Sequence, residues 1–249
     1  MAADALMAGG VRLTPLKRRA GDHTAMHAHE GGQLTLVRRG ALELVAAERR
    51  MLLPAGCLGW LPAGLPHGAH YHGDLEGWSL EGRGAALDRL PAQLQAWSGS
   101  PLLDGIFQRL AAWPEAGGAA AAARLLQVLV DELGWAAPHP SCLPWPKHPA
   151  LRRLAQDLLR EPALDWDLQR WAGHIGMSRR SLIRHFRAET GLGLGEWRER
   201  LRMMRAQALL AEGRAVGFCA LELGYCDSSA FIAAFRRCFG ATPGRFLSG

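Results

Sequence analysis

The sequence predicts an α+β chain: a small N-terminal β-barrel with trailing helices, then an all-α half. Three observations carry this expectation. Residues 10 to about 82 set Gly and Pro punctuation between short apolar runs, Leu34–Val37, Leu42–Val45 and Leu58–Leu61, the rhythm of a small barrel or sandwich. Downstream, apolar residues recur at the three- and four-residue spacing of helices. Between the halves, five prolines fall in the twelve residues from Pro138 to Pro149. Each removes a backbone donor and biases its predecessor away from helix, so the segment reads as an extended linker. The 249 residues, 49% of them apolar, suffice for two modest domains with real cores. The expected division is residues 1–137, a linker at 138–147, and 148–249.

In the first half the barrel is expected to precede two or three helices, over Ala85 to Trp97, Leu102 to Trp113 and Ala119 to Trp135. The tract from Gly117 to Ala123 is good helix material. Beyond it Leu125, Leu126, Leu129, Val130 and Leu133 form a stripe that serves core packing or a dimer contact. Trp145 is placed to pin the linker to one domain.

Composition excludes several classes. No run reaches the ~20 apolar residues of a membrane-spanning helix, and Asp4 stands where a signal peptide carries basic charge. A cytoplasmic protein with no membrane partner is expected. Five cysteines without a Cys-x-x-Cys pair indicate neither a disulfide framework nor a thiolate zinc knuckle, and read as buried thiols. The net charge of +6 is unevenly spread: residues 1–146 hold 12 Lys and Arg against 13 Asp and Glu, and residues 147–249 hold 17 against 10. All the excess positive charge is C-terminal.

That basic half reads as seven helical pieces bounded by Pro162, Gly176, Gly191, Gly213, Gly224 and Gly240. Asp167 can cap a helix over Leu168–His174, Gly176 can take the left-handed turn after it, and Ser178 can cap a second helix to about Glu189. Ala172 permits a close crossing, and Ile175, Met177, Leu182 and Phe186 supply a shared core. The other face of the second helix shows Arg179, Arg180, Arg184 and Arg187, suited to bidentate contacts with guanine edges and to phosphates. The pattern returns about 48 residues later, with Val216, Ala220, Leu223, Gly224, Tyr225, Phe231 and Phe235 in equivalent places. Leu194 to Glu212 reads as one helix joining the copies, with Trp197, Leu201, Met204 and Ala208 on one face. An isolated basic stripe would read as a solvated face; a repeated, capped bihelical unit reads as a double-stranded DNA reader.

Residues 148 to 247 resemble the double helix-turn-helix domain of the AraC/XylS transcription regulators, through the Ala172/Gly176/Ser178 spacing, Leu182-Ile-Arg-His-Phe186 and Phe235-Arg-Arg-Cys-Phe-Gly-Ala-Thr-Pro243. The resemblance implies groove-facing positions at Arg180, Ile183 and Arg184 in the first unit and at Asp227, Ser228, Ser229, Ile232 and Ala233 in the second. The family usually has an arginine where Ala233 stands. Base discrimination is therefore expected mainly from the first unit, with Arg236 and Arg237 supplying backbone contacts in the second. The resemblance also implies activation of transcription with RNA polymerase as a partner.

Among the ten histidines, Gly21-x5-His27-x-His29-x3-Gln33-x6-Gly40 places two on the same face of a strand. Gly56-x5-Pro62-x-Gly64-x2-His67 can bring a third. These segments, within residues 12 to 82, resemble the two motifs of the cupin superfamily, small β-barrels whose interior often holds a metal. By that resemblance His27, His29, Gln33 and His67 correspond to the metal ligands. Gln33 replaces the usual glutamate and Tyr71 a final asparagine. Three imidazoles and a neutral amide leave the cation's charge uncompensated, which lowers affinity but suits Zn, Ni or Cu. Trp60, Tyr71 and Trp78 are candidates to line an effector pocket. The alternative is that the histidines are polar contacts to an organic effector.

Together these readings predict a sequence-specific transcription regulator, an activator and homodimer, whose barrel binds a small molecule or metal ion and controls the DNA reader. The rival is a cupin-type metalloenzyme with a basic helical accessory domain. Against it, Gln33 lacks the carboxylate that catalytic cupins use, and no general acid/base pair is evident nearby.

Overall fold

The computed structural model describes residues 5–7, 11–47, 49–113, 118–136, 139 and 142–247. Asp4, Gly117, Pro138 and Pro140, named above, lie outside the described residues. The chain forms two compact units, residues 1–46 with 51–142, and residues 47–50 with 143–249.

The strands are β1 (Ala5–Met7), β2 (Val11–Arg18), β3 (His23–His27), β4 (Gly32–Ala46), β5 (Arg49–Pro54), β6 (Cys57–Leu61), β7 (His67–Gly82), β8 (Gln95–Ser98) and β9 (Cys142–Pro144), all in the first unit except the start of β5 and the last two residues of β9. They form a nine-stranded sheet in the order β1-β2-β7-β4-β5-β9, with β3 on β7, β6 on β4 and β8 on β6. The two long strands are antiparallel partners from Gly32↔Gly82 to Ala46↔His67. Side chains alternate across such a ladder and supply two cores. Leu34, Leu36, Leu58, Trp60 and Leu80 join residues of α1 (Pro101–Ala111) and α2 (Ala119–Trp135), among them Phe107, Leu126, Leu129 and Leu133, in one cluster. Val37, Leu42, Leu44, Leu61, Ala69 and Tyr71 form the other. The α2 stripe is therefore core packing.

The helix expected over Ala85 to Trp97 is corrected: a 3-10 turn at Leu87–Arg89 precedes strand β8. Leu94 and Ala96 enter one core and Trp97 the other. A strand buried on both faces carries apolar residues at mixed spacings, which imitates helical periodicity.

The second unit comprises α3 (Pro149–Arg160), α4 (Leu168–His174), α5 (Arg179–Thr190), α6 (Leu194–Ala211), α7 (Val216–Glu222), α8 (Ser228–Phe239) and α9 (Pro243–Leu247). Asp167 Oδ1 accepts from Arg170 N at 2.7 Å, and Ser178 Oγ accepts from Ser181 N at 3.1 Å. In the copy, Asp227 Oδ1 accepts from Ala230 N at 2.8 Å. The inter-helix turns match: Gly176 and Gly224 have φ of 70° and 77°, and Met177 N and Tyr225 N donate to Ala172 O and Ala220 O, each at 2.9 Å. Only glycine takes that backbone without strain. Beyond its expected apolar face, α6 also buries Met203, Ala206, Leu209 and Leu210 in a cluster with Cys219, Phe231 and Phe235, so the connecting rod shares a core with the second copy.

The proline-rich segment is not a free tether at its C-terminal end. Trp145 is buried, 5.5 Å from the Trp197 ring, and Trp197 Nε1 donates to Pro144 O at 2.7 Å. Glu189 Oε2 accepts from Lys147 N and His148 N at 2.7 and 3.0 Å. Among the cysteines, all free, Cys57 and Cys219 are buried, whereas Cys226 is exposed, against the expectation of uniformly buried thiols. No described helix is long and apolar enough to cross a membrane.

Candidate nucleic-acid interface and metal centre

Capping and turn geometry fix which faces of α5 and α8 point outward. Leu182 and Phe186 are buried, as are Phe231 and Phe235. Arg179, Arg180, Ile183, Arg184 and Arg187 are exposed on α5. Ile183, 45% exposed among these arginines, is an apolar group held in water, as a contact to a thymine methyl needs. On α8, Ser228, Ser229, Ala233, Arg236 and Arg237 are exposed. Two of the expected positions have other duties. Ile232 is half-buried against the α6–α8 core, and Asp227 is the exposed N-cap of α8, its carboxyl held below the ordinary range by the Ala230 N–H. Arg237 Nη2 lies 3.8 Å from Glu199 Oε1. Thus α5 offers four guanidiniums where α8 offers two.

In the first unit, the end of β3, the turn after it and the start of β7 bring His27, His29 and His67 together, with one ligand nitrogen of each within 4.8 Å of the others. His27 Nδ1 is 2.9 Å from Ala25 O, His67 Nδ1 is 3.0 Å from Leu65 O, and His29 Nδ1 is 3.3 Å from Glu81 Oε1. Carbonyls and carboxylates only accept, so each Nδ1 carries the hydrogen and each Nε2 presents a lone pair. His27 Nε2 and His29 Nε2 stand 3.1 Å apart. Nitrogens on one tetrahedral zinc at about 2 Å stand roughly 3.3 Å apart, close to this separation. Burial lowers the pKa of His67, aided by His27 and His29, against opposing effects of the Leu65 carbonyl and Glu81; the neutral, ligating form is favoured. The donor set fits a divalent transition metal.

Gln33 lies across the ladder from Glu81, with Nε2 donating to Ser79 Oγ at 2.7 Å. Tyr71 shares the sheet face of His67, its hydroxyl 2.9 Å from Thr24 Oγ1. Trp60 and Trp78 are corrections to the expected pocket. They pair with Leu34 and Leu36, one residue out of step with Gln33 and Thr35, and so occupy the opposite face under α1 and α2. Trp60 donates Nε1 to Pro91 O at 2.7 Å. A Cβ on Gly32 would come within 2.0 Å of its ring. Glu81 was not foreseen. It lies 52 residues beyond His29, and only the register of β7 reveals it.

Both halves of the chain have known relatives. A model described as an AraC-like ligand binding domain matches residues 14–169, and one described as a helix-turn-helix domain matches residues 171–249. The HTH-type transcriptional regulator NimR of Escherichia coli K12 is 32% identical over 225 residues, 90% of this chain and 82% of that protein. RipA of Corynebacterium glutamicum, also an HTH-type transcriptional regulator, is 37% identical over 110 residues, 43% of this chain and 33% of its own. The structure of ToxT from Vibrio cholerae, solved with an unsaturated fatty acid bound, aligns over 99% of this chain and 97% of its own with a TM-score of 0.40 and 10% identity. The chain is a DNA-binding transcription regulator with a ligand-binding domain, not an enzyme. It belongs to the AraC family.

Proposed function

We propose that this regulator senses a divalent transition metal, Zn, Ni or Cu, at His27, His29 and His67, with Gln33 as neighbouring neutral donor, and that occupancy sets its affinity for operator DNA. One observation carries the reading: one ring nitrogen from each of three imidazoles converges, with His27 Nε2 and His29 Nε2 3.1 Å apart, while the Nδ1 atoms face Ala25 O, Leu65 O and Glu81. A bound ion would supply positive charge that ties β3 to the start of β7, and so could bias the barrel between two states. The convergent nitrogens favour a metal over a purely organic effector. The reading includes activation with RNA polymerase in the cytoplasm, and a homodimer supported by Leu102, Val128 and Trp135, which are 51%, 44% and 89% exposed on α1 and α2.

The test is elemental analysis of the purified protein, with titration of Zn(II), Ni(II) and Cu(II) into chelator-treated protein. The expected result is one ion per chain, lost in His67→Ala, and an operator affinity that changes on chelation. A protein that takes up none of the three sinks the metal reading.

A further inference from the structure

The three imidazoles have no acid in their midst. Among the described residues, no carboxylate oxygen joins the group of His27, His29 and His67. Gln33 stands where the cupin resemblance expects a glutamate, and its Nε2 donates to Ser79 Oγ at 2.7 Å. Glu30, next to His29 in sequence, has a side chain 95% exposed and faces Arg83 at 3.6 Å. A divalent cation held by neutral nitrogens in a partly buried place, with no counter-charge, is costly.

The fold brings a carboxylate to the cluster by another route. Gln33 and Glu81 are direct partners across the β4–β7 ladder, where facing Cβ atoms stand about 5 Å apart. Glu81 Oε1 lies 3.3 Å from His29 Nδ1, with the two side chains 41% and 22% exposed. Three contacts fix the turn that carries His29, two of them at the end of β7. Arg83 Nε donates to Glu30 O at 2.8 Å, and Gly64 N donates to His29 O at 2.8 Å. Gly31 runs so close to Gly82 that a Cβ on it would come within 2.6 Å of the Gly82 carbonyl oxygen, an approach that only glycine permits. With both backbones held, the contact between His29 and Glu81 is set by the fold and not by two free side chains.

We propose that Glu81 takes over the charge lost at Gln33: from behind His29 it compensates a divalent cation at the three histidines and holds the His29 ring with Nε2 toward His27. The proposal rests on the metal reading and deepens it. Glu81 is a positioning residue, acting on the ion through an imidazole. Its carboxylate stays out of the ligand set, so the donors are nitrogens and a neutral amide, which suit Zn, Ni or Cu and hold Mn(II) poorly.

The test titrates Zn(II) into the chelator-treated full chain against a chromophoric chelator, for the wild type, Glu81→Gln, Gln33→Glu and the exchange variant carrying both. Glu81→Gln keeps size and an acceptor oxygen but removes the charge, so affinity should fall roughly 10- to 100-fold while the melting temperature of the metal-free protein holds. Gln33→Glu alone sets two carboxylates opposite each other and should gain little. The exchange variant returns one carboxylate to the cluster and should recover most of the loss, with a new affinity for Mn(II). In the metal-free protein, NMR of the ring nitrogens should find neutral His29 with its hydrogen on Nδ1, and a mixture of tautomers in Glu81→Ala. Wild-type affinity in Glu81→Gln, an exchange variant no tighter than Glu81→Gln, a large gain in Gln33→Glu alone, or an unchanged tautomer in Glu81→Ala overturns the role of Glu81 and leaves the metal reading standing. A wild-type chain that takes up neither Zn(II), Ni(II) nor Cu(II) overturns both.

Discussion

Arg184 and Ala233 occupy the same place in the two bihelical units, one able to make two directed hydrogen bonds to guanine and the other none. Arg184→Ala should therefore weaken operator binding by about 1–3 kcal/mol and relax preference at one base pair, whereas Arg237→Ala should weaken all sequences alike. Binding-site selection with each variant checks this, and uniform loss in both would show that the division of labour is wrong. Much at this scale was legible: arginines spaced along one helix face, and a His-x-His pair, announce themselves locally, although the pair expected on one strand face has His27 ending β3 and His29 in the turn beyond it. Glu81 did not, because its partner His29 is brought near only by strand pairing. Trp60 and Trp78 were misplaced for a related reason: a step of one residue along a strand moves a side chain to the other face of the sheet.

Caps decide where the helices of the reader begin. Ser178 is exposed and its Oγ serves Ser181 N, so Ser178→Ala should destabilise the helical unit by about 1 kcal/mol, read as a shifted urea midpoint with unchanged slope. An unshifted midpoint would mean water caps α5 equally well. Helix starts at Asp167 and Ser178 and turns at Gly176 and Gly224 were legible because capping and left-handed backbone depend on one or two residues, whereas Asp227, expected to face the groove, proved to be the N-cap of α8. Residues 85 to 97 were misread as helix because strand β8 sends neighbours into two different cores, and that second core is invisible to a local window. The α6 helix was expected to bury one face; the second copy of the motif packs on it and buries more.

For the molecule as a whole, acid should be destabilising through a buried histidine. His139 is held to a pKa of about 4, down from 6.5, by burial. Between these values the unfolded chain binds the proton and the folded chain does not, so stability rises with pH across the window and is lost on acidification. The loss is on the order of 3 kcal/mol, complete only below pH 4. His67, lowered chiefly by burial, acts in the same direction. Urea unfolding at pH 7 and 4.5 should show the fall, and His139→Gln should flatten it; equal pH dependence in both proteins would place the effect elsewhere.

By itself the sequence determined that this chain has a strand-rich half and a basic, repeated helical half, because hydrophobic period, caps, glycine turns and charge are written in neighbouring residues. Tertiary structure alone decided which sheet face holds the imidazoles, which tryptophans merely pack, that Glu81 orients His29, and that the linker's end is tied to α5 and α6. Those outcomes depend on strand register and on contacts between residues tens of positions apart, and register is fixed only when both cores are filled at once.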